Sequence, residues 1–158
     1  MTATTLPALI QRFFTDRLCV QMEASRHTVA GYRDTFRLLL RFASARHGRP
    51  PVKLTVEDID ADLVADFLVH GETARGNGAR SRNTRLAAIR SFFRYVAMTD
   101  PGRMLHCQRI LAMPNKRYVK RAVTFLDEPE IAALLAAPDR TTWAGRRDHA
   151  LLLLAIQT

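Results

Sequence analysis

The sequence predicts an all-α protein: a compact four-helix bundle, then a basic linker, then two further helices. Three observations predict it. Apolar residues recur at spacings of three and four along most of the chain. No pair of alternating segments flanks a hairpin turn. Breakers at Gly48, Pro50-Pro51, Gly71 and Asp100-Pro101-Gly102 cut the chain into pieces of helix length.

The first helix runs from Leu6 to Met22, with Leu6, Leu9/Ile10, Phe13/Phe14 and Leu18 on its apolar face. Ser25 or Thr28 caps a second helix that reaches about Arg46 and ends at Gly48. Thr55, with Asp58 three residues on, opens a third that runs through His70. Gly76-Asn77-Gly78 is a flexible turn. Ser81 or Asn83 opens a fourth, to about Met98. Four helices with short connections make a bundle. A short helix follows around Leu105–Leu111, and Pro114 to Arg121 is basic and without period, an extended linker. Asp127 then caps a new helix, with Glu130 reaching back and Pro129 in the first turn. A last helix starts near Arg146–Asp148 and contains four consecutive leucines, Leu151 to Leu154. A helix apolar all round needs burial on every side. Residues 125–158 are too few to supply it, so the chain reads as stopping inside a second domain. The expected division is therefore 1–113 for the bundle, 114–124 for the linker and 125–158 for the start of that second domain.

Composition narrows the function. Of 158 residues 47% are apolar, which excludes a disordered tail. Cys19 and Cys107 match no disulfide or zinc spacing and read as reduced thiols. The N-terminus has no basic stretch followed by an apolar one, and the longest apolar run, Ala150 to Ile156, is too short to span a bilayer. A cytoplasmic protein is expected, without a membrane partner. Its formal net charge is +9. From Arg75 to Arg121 there are twelve basic residues and one acid, Asp100, whereas Glu57 to Glu72 holds six acids and no Lys or Arg. Such polarity suits a bound polyanion. GC-rich coding alone would raise arginine everywhere; it does not explain the clustering.

Helical geometry sharpens this. On the second helix Tyr32, Phe36, Leu39 and Ala43 form one apolar stripe, and Arg33, Arg37 and Arg41 stand one turn apart on another face. That face has one sign and no glutamate at i±4. On the fourth helix Leu86, Ile89, Phe93 and Val96 are the stripe. Asn83, Arg90 and Arg94 share a flank, and Arg80, Arg82 and Arg85 crowd the first turn. Arginine forks onto phosphate and guanine, asparagine onto adenine, and a helix N-terminus attracts phosphate. Lys116, Arg117, Lys120 and Arg121 of the linker would follow the backbone.

These residues resemble a known family. Ser25-Arg26-His27-Thr28, with Tyr32 four residues later, resembles the opening of the second helix in the core-binding domain of tyrosine recombinases of the phage-integrase type. Asn83-Thr84-Arg85-Leu86-Ala87-Ala88-Ile89-Arg90-Ser91-Phe92-Phe93-Arg94-Tyr95 is similar to that domain's last helix. The linker followed by Phe125-Leu126-Asp127-Glu128-Pro129-Glu130-Ile131 is similar to the join to the catalytic domain, and Arg147-Asp148-His149-Ala150 with the four leucines to the helix before the first catalytic arginine. The resemblance implies a SAM-like core-binding bundle and an incomplete catalytic domain. It implies double-stranded DNA as partner, with other recombinase protomers on that DNA, and a nucleoid-associated location when bound. It adds Arg26, His27 and Thr28 to the expected DNA contacts. In the family the catalytic arginine follows a Gly-Leu pair, and a lysine, histidines, a second arginine and a tyrosine nucleophile come later. The sequence stops at Gln157-Thr158, so no catalytic residue, and no enzyme activity of this chain alone, is expected.

Other chemistry finds no footing. His27, His47, His70, His106 and His149 are scattered without metal-ligand spacing, and no phosphate-cradling glycine motif occurs. No cofactor and no small-molecule substrate are expected. Two competing readings are a free-standing helical DNA-binding transcriptional regulator, which ought to close its fold, and a protein-interaction bundle, which ought to mix signs on its faces.

Overall fold

The computed structural model describes residues 5–119 and 125–157. The chain divides between Tyr118 and Val119 into two compact units. Among the described residues there is no strand, and no helix is long and apolar enough to cross a membrane.

In the first unit, α1 (Leu6–Arg12) carries Pro7 in its first turn and runs directly into a π-helix, Phe13–Gln21. The sequence predicted one regular helix. The change of register has a reason in the spacing: Phe13 and Leu18 are both fully buried and lie five residues apart, a step that an i→i+5 turn accommodates. Helix α2 (Arg26–His47) is capped by Ser25, whose Oγ accepts from the Thr28 amide at 3.2 Å. It ends at Gly48 in the left-handed region, φ 61°, where glycine carries no steric penalty. Its buried face is Phe36, Leu39 and Ala43, with Thr35 returning its hydroxyl to the Gly31 carbonyl at 2.9 Å.

The third helix starts later than expected. Thr55 and Asp58 do bond reciprocally: the Thr55 amide donates to Asp58 Oδ2 at 2.8 Å and the Asp58 amide to Thr55 Oγ1 at 3.3 Å. That exchange closes a turn, not a helix, because Val56 and Ile59 both point into the core. Helix α3 (Ala61–Thr73) begins after Asp60, which accepts from the Leu63 amide at 2.8 Å. Burial raises the Asp58 carboxyl, but hydrogen bonds from Thr55 and the Arg49 guanidinium outweigh it and hold the group below its ordinary value.

Helix α4 (Ala79–Thr99) follows Gly78 and has no side-chain cap; neither Ser81 nor Asn83 starts it. It buries Leu86, Ala88, Ile89, Phe92, Phe93, Val96 and Ala97, a wider face than the predicted stripe. The breadth follows from its position, since α4 packs on α2, α3, the π-helix and α5 (Met104–Leu111). Phe92 meets Phe36 at 5.1 Å, Phe93 at 5.3 Å and Phe13 at 5.4 Å between ring centroids, all near-perpendicular. Edge-to-face pairs of this kind add stabilisation beyond the area they bury. Burial also pushes the Cys107 thiol up, against the pull of Arg103, which leaves it a small apolar packing element.

In the second unit, α6 (Glu128–Ala136) has the predicted capping box: the Glu130 amide donates to Asp127 Oδ1 at 2.8 Å and the Asp127 amide to Glu130 Oε2 at 3.0 Å. Helix α7 (Trp143–Gln157) starts three residues before the predicted Arg146. Thr142 is responsible, its Oγ1 accepting from the Gly145 amide at 3.0 Å. His149 Nδ1 meets the Leu135 carbonyl at 2.9 Å and ties α7 to α6. The apolar side chains stay largely outside: Leu151 is 58% exposed and Leu154 60%.

Two stability outcomes follow. Phe92→Ala removes the ring at the centre of the first unit and lowers unfolding free energy by about 3–5 kcal/mol, read from urea denaturation. Gly145→Ala places a methyl against the Asp139 backbone at a separation no Cβ adopts. Hydrogen exchange will therefore quicken across residues 143–150, while the α4 amides keep their protection.

Candidate nucleic-acid interface

The expected contact residues separate into three groups on the first unit. Arg26 and Arg33 line a groove beside Cys19 and Glu23 of the preceding segment, with His27 and Thr28 exposed in the same first turn of α2. A Thr28–Ser25 hydroxyl pair at 3.0 Å holds that turn.

The second group surrounds a cleft of about 450 Å³. Leu38, Phe42 and Phe67 form its apolar floor, and Arg41, Arg46, Arg75 and Arg85 form its rim with His70. Here the arginine face of α2 meets the second turn of α4. His70 lies against Phe42, ring centroids 5.2 Å apart, and Arg46 pairs with Asp66 of α3 at 3.1 Å. Arg46 and Arg75 were not singled out as contacts from the sequence; only folding brings them beside Arg41.

The third group joins α4 to the start of the linker. Asn83 Nδ2 donates to the Lys116 carbonyl at 2.8 Å, and the Lys116 amide donates to Asn83 Oδ1 at 2.9 Å. Arg90 Nη1 donates to Asn115 Oδ1 at 3.1 Å. Lys116 Nζ reaches Glu72 Oε1 at 2.8 Å, and Arg82 Nε stands 3.9 Å from the other oxygen of the same carboxylate. Glu72, the last acid before the basic segment, thus serves two cations. Nothing in its spacing announces that role, because its partner Lys116 is 44 residues away.

Arg37 departs from the expected unpaired stripe: it donates to Asp34 Oδ1 at 2.7 Å, one turn back. Arg33, Arg41, Arg80, Arg94 and Arg117 are exposed. Lys120 and Arg121 lie outside the described residues. Of the acids, Glu57 is held below its ordinary value although burial raises it, because its own backbone amide and Arg103, at 2.7 Å, outweigh burial. It belongs to none of the three groups. No cluster of His, Cys, Asp and Glu able to hold a metal occurs among the described residues.

Exposed guanidinium groups on two packed helices, with a basic segment held against α4, are of the chemistry that attracts phosphate through charge and forked donors. Comparison with known proteins agrees with that character. Residues 10–98 match the family model of the phage integrase N-terminal SAM-like domain, and the chain belongs to that family. It is 53% identical over 154 residues to the putative integrase/recombinase y4rC of Sinorhizobium fredii, covering 98% of this chain and 46% of that protein. It is 35% identical over 152 residues to the tyrosine recombinase XerD of Neisseria meningitidis serogroup B, covering 95% and 47%. With the tyrosine recombinase XerC of Rhodospirillum centenum it shares 31% over 134 residues, covering 83% and 38%. The chain spans about half the length of the curated relatives it matches. No solved structure matches it at the significance of these relatives.

Proposed function

We propose that this chain is the DNA-binding part of a tyrosine recombinase acting in site-specific recombination. The observation that carries the reading is the family match over residues 10–98, the stretch that contains both arginine-bearing helices. In this reading the bundle, residues 1–113, grips one face of double-stranded DNA, residues 114–124 cross the backbone, and residues 125–158 open the catalytic domain. Other recombinase protomers on the same DNA are its protein partners, and its place is the cytoplasm and, when bound, the nucleoid.

The chemistry of strand exchange lies elsewhere. A tyrosine nucleophile must reach a phosphate freely. Tyr32 and Tyr95 instead pack against Phe13, at 6.3 and 5.7 Å between ring centroids. Tyr118 is half exposed and stands in the linker. In this reading the chain binds DNA, and cleavage belongs to the part of the relatives' length that it does not span.

Titrating a labelled duplex of mixed sequence at increasing salt tests this. Each neutralised phosphate contributes about −0.9 to the slope of log affinity against log salt, so a steep negative slope is expected, with no covalent adduct on a denaturing gel. A flat response, or an adduct, overturns the reading. Arg94→Ala, exposed and off the apolar face of α4, is expected to weaken binding by about 1–3 kcal/mol at unchanged melting temperature if it meets a base edge. Arg117→Ala is expected to weaken all sequences alike.

A further inference from the structure

We propose that Asn83 is a positioning residue that holds the linker on α4, and that it does not read bases. The inference rests on the DNA-binding reading above and deepens it.

To recognise adenine, asparagine presents Oδ1 and Nδ2 together, one accepting and one donating. In this structure that same edge faces the backbone of one residue: Nδ2 donates to the carbonyl of Lys116 and Oδ1 accepts from its amide. The match is the one adenine would offer, and the two cannot be held at once. Asn83 is also not needed as a helix cap, since α4 already begins at Ala79.

Neighbouring contacts repeat the function. Arg90 holds Asn115, the residue before Lys116. Its Nε is buried without a partner among the described residues, so its fork is turned toward the protein and not toward an open groove. Glu72 of α3 takes the Lys116 ammonium. Three side chains from two helices therefore converge on two consecutive linker residues. The contact grouping agrees, since residues 114–118 fall with the first unit and not with the second. The outcome is that Arg117 is carried at a set height beside α4, and its charge approaches the phosphate backbone together with that of Arg94, which shares the Asn83 flank of the helix. A freely hinged linker would lose that register, because ordering it at the moment of binding costs conformational entropy.

Hydrogen exchange of the full chain, without DNA, measures the clamp directly. Asn83→Ala is expected to speed exchange of the Lys116 amide about tenfold, the scale of the lost pair of hydrogen bonds. Asn83→Asp keeps the acceptor for that amide and lies between. Duplex titration supplies a readout that a merely structural role would not move. Asn83→Ala is expected to flatten the salt slope toward that of an Arg117→Ala variant, with an unchanged melting temperature. Unchanged Lys116 exchange in both variants overturns the clamp. So does faster exchange with an unchanged salt slope, or a loss of affinity confined to duplexes of one sequence, which would make Asn83 a reader. A parent chain that bound no duplex would sink the recombinase reading, and the exchange result would still judge the clamp.

Discussion

Everything in the first unit is arranged around Phe92. Its ring stands edge-on to Phe13, Phe36 and Phe93, so the π-helix, α2 and α4 meet at one side chain. Burying one such ring is worth about 1.5–3 kcal/mol, and the perpendicular contacts add to it. The arginines depend on this packing without taking part in it. With α4 pinned on its apolar side, Arg85 and Arg94 have only the remaining faces of the helix available. Arg41 meets Arg85 across a cleft because the Leu39–Ala43 face of α2 is fastened to the same core.

Electrostatics then decides which cations stay exposed. Asp34, Glu72 and Asp66 each take a partner from the basic set: Arg37, Lys116 and Arg46. Pairs exposed to this degree contribute little to stability. Their effect is spatial. They quiet some positions, while Arg26, Arg33, Arg41, Arg80 and Arg94 stay exposed on the two long helices.

Much of this was legible in the sequence, and the failures have identifiable causes. Periodicity located α2 and α4 because their apolar residues repeat at three and four over about three turns. Asp127 and Glu130 announced α6 because a capping box is local. The π-helix was hidden, since the step from Phe13 to Leu18 also reads as four from Phe14. Thr55 and Asp58 carry the chemistry of a helix start yet make a turn, because the core claims Val56 and Ile59. Thr142 was overlooked beside the acidic signal at Asp148. The site divides similarly. The arginine faces of α2 and α4 follow from helical geometry, but the pairing of Asn83 with Lys116 spans 33 residues. No local rule contains it.

The division into two units has a consequence for biosynthesis. Domains fold as units while the chain is still being made, the N-terminal one first. The first unit holds its own aromatic core within residues 5–118, so it reaches its final form while α6 and α7 are still on the ribosome. The packing that presents the arginine surface therefore draws on no residue of α6 or α7. Such a unit presents its basic face to any nucleic acid it meets as soon as it has folded.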